Sequence, residues 1–137
     1  MRVEKPFSPE RRRSRRKYMP IPLRFNALTG KNLETMSRQK TDYLDNIGIE
    51  GLAFETESME IDGIHLSFDS EFNRNLLYME IDLPRPGRLI KVYGRVEWYE
   101  RTLGRGEKEF TVGLNYTHMS DEDRLALQRF LESEENL

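Results

Sequence analysis

The fold of this chain is decided by two runs, Ile90-Lys91-Val92-Tyr93-Gly94-Arg95-Val96-Glu97-Trp98 and Phe110-Thr111-Val112-Gly113-Leu114-Asn115-Tyr116, with the turn Gly104-Arg105-Gly106 between them. In both runs, apolar residues or glycines alternate with mostly polar ones. This period of two is typical of a strand with one buried face. Joined by a glycine turn, the two runs predict an antiparallel β-hairpin.

Similar alternation precedes the hairpin. It predicts strands over residues 21–27, 41–47, 51–56, 64–68 and 77–83. Turn signals separate them at residues 29–32, at Gly48 and Gly51, and at Pro84-Arg85-Pro86-Gly87. Short strands spaced by turns are typical of a small closed sheet. We therefore expect an all-β fold, a six- to seven-stranded antiparallel β-barrel.

One helix is predicted after the last strand. Ser120 can cap its first amides, and the acidic run Asp121-Glu122-Asp123 lies where the helix dipole favours negative charge. Leu127, Phe130 and Leu131 form one apolar stripe. We expect this C-terminal helix to pack on the barrel.

Positive charge is concentrated at the amino end. Residues 1–17 contain eight lysine and arginine residues against two glutamates, a net charge of +6. Residues 18–137 contain 14 basic and 22 acidic residues, a net charge of −8. The prolines and like charges of this segment disfavour a stable helix. A cluster of guanidinium groups can bind phosphates or guanine edges together, so the pattern indicates a site for a polyanion.

The 137 residues suit one domain, which we divide into a flexible basic arm over residues 1–19 and a barrel with its helix over residues 20–137. The sequence has no cysteine and no apolar run of the roughly 18 residues that a membrane helix needs. We expect a soluble, cytoplasmic protein without membrane insertion.

Catalytic and metal-binding patterns are not found. His65 and His118 lack partners at ligand spacing, and no nucleophile elbow or P-loop is present. Tyr93, Trp98 and Tyr116 lie in predicted strands and are interpreted as barrel-wall residues. We expect no enzyme activity, no metal site and no cofactor apart from a bound ligand.

Two short motifs are spaced along the chain. Arg12 to Arg16 supply R-x-x-x-R before the first predicted strand, and Arg11 with Arg15 gives a second register. After the second predicted strand, Asn46-Ile47-Gly48-Ile49-Glu50-Gly51 follows the pattern D/N-x-S-x-x-G. With these two motifs the chain resembles the PilZ domain family, whose members bind the bacterial second messenger cyclic di-GMP. The closing hairpin and helix agree with the family pattern, so the resemblance spans about residues 10–133.

The resemblance implies a PilZ-like split barrel and a receptor or effector for cyclic di-GMP that couples the level of the messenger to a downstream protein. It implies that the ligand is bound by a set of seven residues: Arg11, Arg12, Arg15, Arg16, Asn46, Gly48 and Gly51. The resemblance does not name the downstream partner or the arginine register in use. It also leaves open a homodimer or a ligand-dependent change of oligomeric state.

The sequence departs from the family motif at Gly48, where the family has serine, and the missing hydroxyl predicts a weaker contact with the ligand. One alternative is therefore a PilZ-like interaction adaptor that no longer binds the nucleotide. Another is a small barrel whose basic arm binds nucleic acid. The acidic balance of residues 18–137 disfavours nucleic acid, because no basic face continues from the arm.

Overall fold

The computed structural model describes residues 20–68, 74–84, 87–102 and 108–135. In these residues the chain forms nine strands and one helix, with the bounds β1 (Pro22–Thr29), β2 (Thr35–Met36), β3 (Lys40–Ile47), β4 (Gly51–Thr56), β5 (Glu60–Ile61), β6 (Ile64–His65), β7 (Leu76–Leu83), β8 (Arg88–Arg101), β9 (Phe110–Met119) and α1 (Asp121–Glu135). The predicted arm over residues 1–19 lies outside the described residues. No helix in the described ranges is both long and apolar enough to cross a membrane.

Six strands close into a barrel in the order β1-β3-β4-β9-β8-β7. All neighbouring pairs are antiparallel, and β7 pairs back with β1 from Leu23 opposite Ile81 to Leu28 opposite Leu76. The two-residue strand β2 pairs with the end of β1 outside this ring. The predicted all-β barrel with a C-terminal helix is therefore confirmed.

The alternating apolar residues fill the barrel. On β7, Leu77, Met79, Ile81 and Leu83 are buried, while the residues between them are partly exposed. Alternate side chains of a strand point to opposite faces, so this pattern places one face in the core and the other towards solvent. The other barrel strands contribute the remaining large buried side chains, which include Leu23, Phe25, Leu52, Phe54, Ile90, Val92, Val112 and Leu114.

The helix is held at its first turn and along its apolar stripe. The Ser120 hydroxyl accepts a hydrogen bond from the Asp123 amide (3.1 Å), which confirms the predicted cap. The Asp123 carboxylate also accepts hydrogen bonds from Arg88 Nη2 (2.9 Å) and from the Lys91 amide (3.0 Å), both on β8. These contacts fix the start of α1 against the sheet, and Phe130 then enters the core.

Two short strands, β2 and β5, were not predicted from the sequence. β2 and β5 have two residues each, too few to show a period. The predicted strand over residues 64–68 is also shorter in the structure, where β6 pairs only with β5 in a separate hairpin. The chain turns after His65, whose Nδ1 accepts a hydrogen bond from the Ser67 amide (3.1 Å). Leu66 remains buried, but Phe68 is exposed.

Truncating Phe130 tests the packing of α1. Phe130→Ala should lower the free energy of unfolding by about 3–5 kcal/mol, because the ring is almost completely buried and its removal leaves a cavity. Leu125→Ala is the matched control on the same helix, since Leu125 is 47% exposed, and should change stability by less than about 0.5 kcal/mol. Urea unfolding followed by circular dichroism measures both. Equal losses would contradict this packing.

Candidate functional site

The glycine motif forms the corner between β3 and β4. The Gly48 amide donates a hydrogen bond to the Gly51 carbonyl (2.9 Å), so that Ile49 and Glu50 form a two-residue loop. We call residues 46–51 the glycine corner. Asn46 pairs with Ala53 just before the loop, after a break in the strand register that follows Leu44. The structure thus brings Asn46, Gly48 and Gly51 together at one edge of the barrel.

Gly51 is held against the neighbouring strand β9. A Cβ at this position would lie 2.1 Å from the Leu114 carbonyl oxygen and 3.0 Å from Asn115 Oδ1. No side chain can occupy that space unless the backbones of β4 and β9 move apart. Gly51 is therefore required by strand packing, and its role in binding the ligand stays a prediction.

Gly48 is constrained differently. Among the described residues the glycines with positive φ are Gly30, Gly63 and Gly87, so Gly48 adopts a conformation open to other residues. Its glycine is not required by the backbone angle. A serine, which the family motif has at this place, is compatible with the φ angle found here.

Tyr116 on β9 is the residue of this corner that sequence reasoning missed. Its hydroxyl lies 3.0 Å from the Gly48 carbonyl oxygen and 3.2 Å from that of Gly51, and it donates to these two acceptors. Its backbone amide donates to the Glu50 carbonyl (3.0 Å). The phenol proton is thus shared by the two carbonyls that bracket the loop. In sequence, the only signal is a tyrosine at a partly buried strand position.

The Tyr116 hydroxyl is removed from water. Burial raises its pKa far above the ordinary value for tyrosine, and the nearby positive charge of Arg124 on α1 opposes part of that rise. The phenol is therefore neutral at physiological pH and acts as a donor towards the glycine corner. The Arg124 backbone amide donates a hydrogen bond to the Ser120 carbonyl, so Arg124 lies in the first turn of α1.

The chain enters the barrel beside the strand that carries the corner. The Ile21 carbonyl accepts a hydrogen bond from the Leu44 amide (2.9 Å), and Pro22 lies opposite Tyr43. Leu44 precedes Asn46 by two residues, about 7 Å along a strand. The arginine motif ends at Arg16, five residues before Ile21, and five residues of fully extended chain span at most about 17 Å. The first described residues after the motif therefore lie beside the strand that carries the corner.

Four of the seven predicted ligand residues, Arg11, Arg12, Arg15 and Arg16, lie outside the described residues. Their roles remain predictions. Asn46, the first residue of the second motif, is buried, with only 8% of its surface exposed. A guanine edge could therefore meet only a small part of this side chain in the conformation seen here.

The described barrel does not present a continuous basic surface. Seven of its lysine and arginine side chains form ion pairs with carboxylates: Arg24, Arg38, Lys40, Arg88, Arg95, Arg101 and Lys108. Their charge is largely neutralised locally. Among the described residues, no group of three histidine, aspartate or glutamate side chains is arranged to hold a metal ion.

These features define a class of protein, a small antiparallel β-barrel domain with a packed C-terminal helix and a glycine corner beside the strand where the chain enters. The family model of the PilZ domain matches residues 10–133. This chain therefore belongs to the PilZ domain family.

Two solved structures share the fold. The Bacillus subtilis inhibitor of motility, MotI/DgrA, superposes with a TM-score of 0.51 at 21% identity over 88% of this chain, which spans about half (52%) of the MotI chain. The PilZ domain of YcgR from Escherichia coli, solved with c-di-GMP, gives a TM-score of 0.52 at 13% identity, covering 88% of this chain and 85% of that one. At these identities the likeness shows the fold alone. No curated protein sequence matches this chain.

Adding a methyl group at Gly51 should disrupt the corner. Gly51→Ala is expected to lower the free energy of unfolding by about 1–3 kcal/mol, because its Cβ collides with the Leu114 carbonyl. Glu55→Ala, four residues further along the same strand, should change stability by less than about 0.5 kcal/mol. Denaturant unfolding of both variants measures the difference. An unchanged stability of Gly51→Ala would contradict the close approach of β4 and β9.

Proposed function

We propose that this protein is a receptor for cyclic di-GMP, bound between the arginine arm and the glycine corner. The observation that carries the proposal is the pairing of Ile21 with Leu44, which tethers the arm next to the strand bearing Asn46. Membership of the PilZ family and the YcgR structure with c-di-GMP support the choice of ligand.

The chemistry of the ligand matches the arm. Cyclic di-GMP carries two phosphate charges and two guanines, and each guanine offers the acceptors O6 and N7 on one edge. A guanidinium group can bridge O6 and N7 with two hydrogen bonds, a pairing that discriminates between bases by roughly 1–3 kcal/mol. We assign these contacts, and contacts with phosphate, to Arg12 and Arg16, with Arg11 and Arg15 as the second register.

The corner supplies the other half of the site. Asn46 accepts a hydrogen bond from a guanine donor through its side-chain oxygen, which requires a small opening around this buried group. Gly48 adds no side chain to the corner, whereas the space beside Gly51 is filled by the Leu114 carbonyl of β9. The missing hydroxyl at Gly48 lowers the affinity of this chain for the ligand relative to the family motif.

In this proposal, binding orders the arm over the barrel and creates a new surface for a downstream protein. Part of the binding free energy is used to order the arm. The protein acts as a cytoplasmic switch rather than an enzyme. The acidic barrel, with a net charge of −8 over residues 18–137, disfavours nucleic acid as the polyanion.

Charge-preserving substitutions test the arginine arm. In calorimetric titrations with cyclic di-GMP, Arg12→Lys with Arg16→Lys should bind at least about tenfold more weakly than the wild type, because lysine keeps the charge but loses the bidentate fork. The same changes at Arg11 and Arg15 decide between the two registers. Binding should also weaken as salt is added, since the contacts are partly ionic.

Arg2→Ala with Lys5→Ala is the control, because it removes two positive charges from the arm outside both arginine registers. It should reduce affinity much less than the motif variants. Wild-type protein that ignores cyclic di-GMP would contradict the proposed function and favour the interaction adaptor. Binding of RNA or DNA at physiological salt in a gel shift would favour the nucleic-acid alternative.

Restoring the family residue should strengthen binding. Gly48→Ser is expected to raise the affinity for cyclic di-GMP by about two- to tenfold, the usual worth of one added hydrogen bond. The φ angle of Gly48 lies outside the positive range, so the backbone conformation accepts serine. Calorimetry measures the affinity and thermal unfolding checks the fold. A folded Gly48→Ser variant with weaker binding would show that serine does not contact the ligand here.

A further inference from the structure

The strongest feature that the proposed ligand site does not use is the Tyr116 hydroxyl. It is buried, neutral and shared between the carbonyl oxygens of Gly48 (3.0 Å) and Gly51 (3.2 Å). The backbone of Tyr116 adds a third contact, from its amide to the Glu50 carbonyl (3.0 Å). Tyr116 of β9 thus bonds to three of the four residues 48–51 in the glycine corner.

A corner with glycine immediately before its loop gains from such a restraint. Glycine has more backbone freedom than any other residue, so ordering it costs more entropy. The φ angle of Gly48 does not require glycine, and the family motif has serine there. The corner therefore lacks a side chain at position 48 that would restrict the backbone conformation. Instead, the Tyr116 hydroxyl of β9 donates a hydrogen bond to the Gly48 carbonyl.

We propose that Tyr116 is a positioning residue for the ligand site, whose phenol holds the glycine corner in its binding conformation and compensates for the absent side chain at position 48. The hydroxyl donates to the carbonyls of the corner, so it acts on the corner rather than on the ligand. A corner held in one shape before binding improves affinity because less ordering remains for the ligand to impose. The affinity part of the inference rests on the proposed function.

The arrangement places this restraint on the strand that leads into α1. Tyr116 is followed by the last residues of β9 and by Ser120, which caps the helix. Asp123 fixes the same helix turn to β8 through Arg88 and Lys91. The corner, the end of β9 and the start of α1 are therefore connected by hydrogen bonds.

A double-mutant cycle between Tyr116→Phe and Gly48→Ser tests the inference. Tyr116→Phe keeps the ring and removes only the hydroxyl, and it should weaken the binding of cyclic di-GMP by about three- to tenfold. In the Gly48→Ser background the same change should cost less than about twofold, because serine already narrows the loop. Equal losses in both backgrounds would overturn the compensation.

Amide hydrogen exchange without ligand provides a second readout. The Gly48 amide, which bonds to the Gly51 carbonyl, should exchange about three- to tenfold faster in Tyr116→Phe, while amides of β7 remain unchanged. Faster exchange throughout the barrel would show a general loss of stability and overturn a positioning role. Unchanged exchange of Gly48 would overturn it as well.

Tyr93→Phe is the matched control, since Tyr93 is a partly exposed tyrosine of β8 in contact with the Tyr78 and His118 rings. It should alter neither the affinity nor the exchange of Gly48. The two proposals fail in distinguishable ways. If the wild type does not bind cyclic di-GMP, the proposed function fails, and exchange of the Gly48 amide still decides whether Tyr116 holds the corner.

Discussion

The close approach of β4 and β9 at Gly51 is the constraint on which the candidate site depends. The Leu114 carbonyl occupies the space that a side chain at position 51 would need. Only with this approach can β9 place the Tyr116 hydroxyl on the carbonyls of Gly48 and Gly51. The corner is thus held by the neighbouring strand β9. The two glycines of the corner differ. Gly51 is required by strand packing, whereas the φ angle of Gly48 is one that other residues also adopt.

Charge separation complements this geometry. The amino-terminal 17 residues carry +6 and the remainder carries −8, and seven cations of the described barrel are already paired with carboxylates. Most of the positive charge that could attract an anion therefore belongs, by sequence, to the segment that precedes Ile21, whose carbonyl bonds to Leu44 beside the corner. In the proposed receptor, the barrel supplies a rigid edge and the arm supplies affinity, so that binding and ordering of the arm are one event.

Much of the architecture could be predicted because alternation reports directly on burial. The runs that became β7, β8 and β9 have long, regular patterns, and their apolar residues are those found in the core. The helix cap at Ser120 could also be predicted, because it involves only Ser120 and Asp123, three residues apart. β2 and β5 could not be predicted, because two residues show no period. The sequence motif pointed to Asn46, Gly48 and Gly51, which the structure brings together at one corner, but it did not point to Tyr116, which bonds to Gly48 and Gly51.

By itself, the sequence determined which face of each strand is buried, where the chain turns, and that basic charge collects at the amino end, because these properties depend on neighbouring residues. Only the tertiary structure decided that β9 lies beside β4. Alternation specifies a buried face but not the strand that pairs with it, and Tyr116 is separated from Gly48 by 68 positions along the chain. Closure of the barrel brings the two residues within hydrogen-bond distance of each other. It converts an ordinary strand tyrosine into the donor that holds the glycine corner.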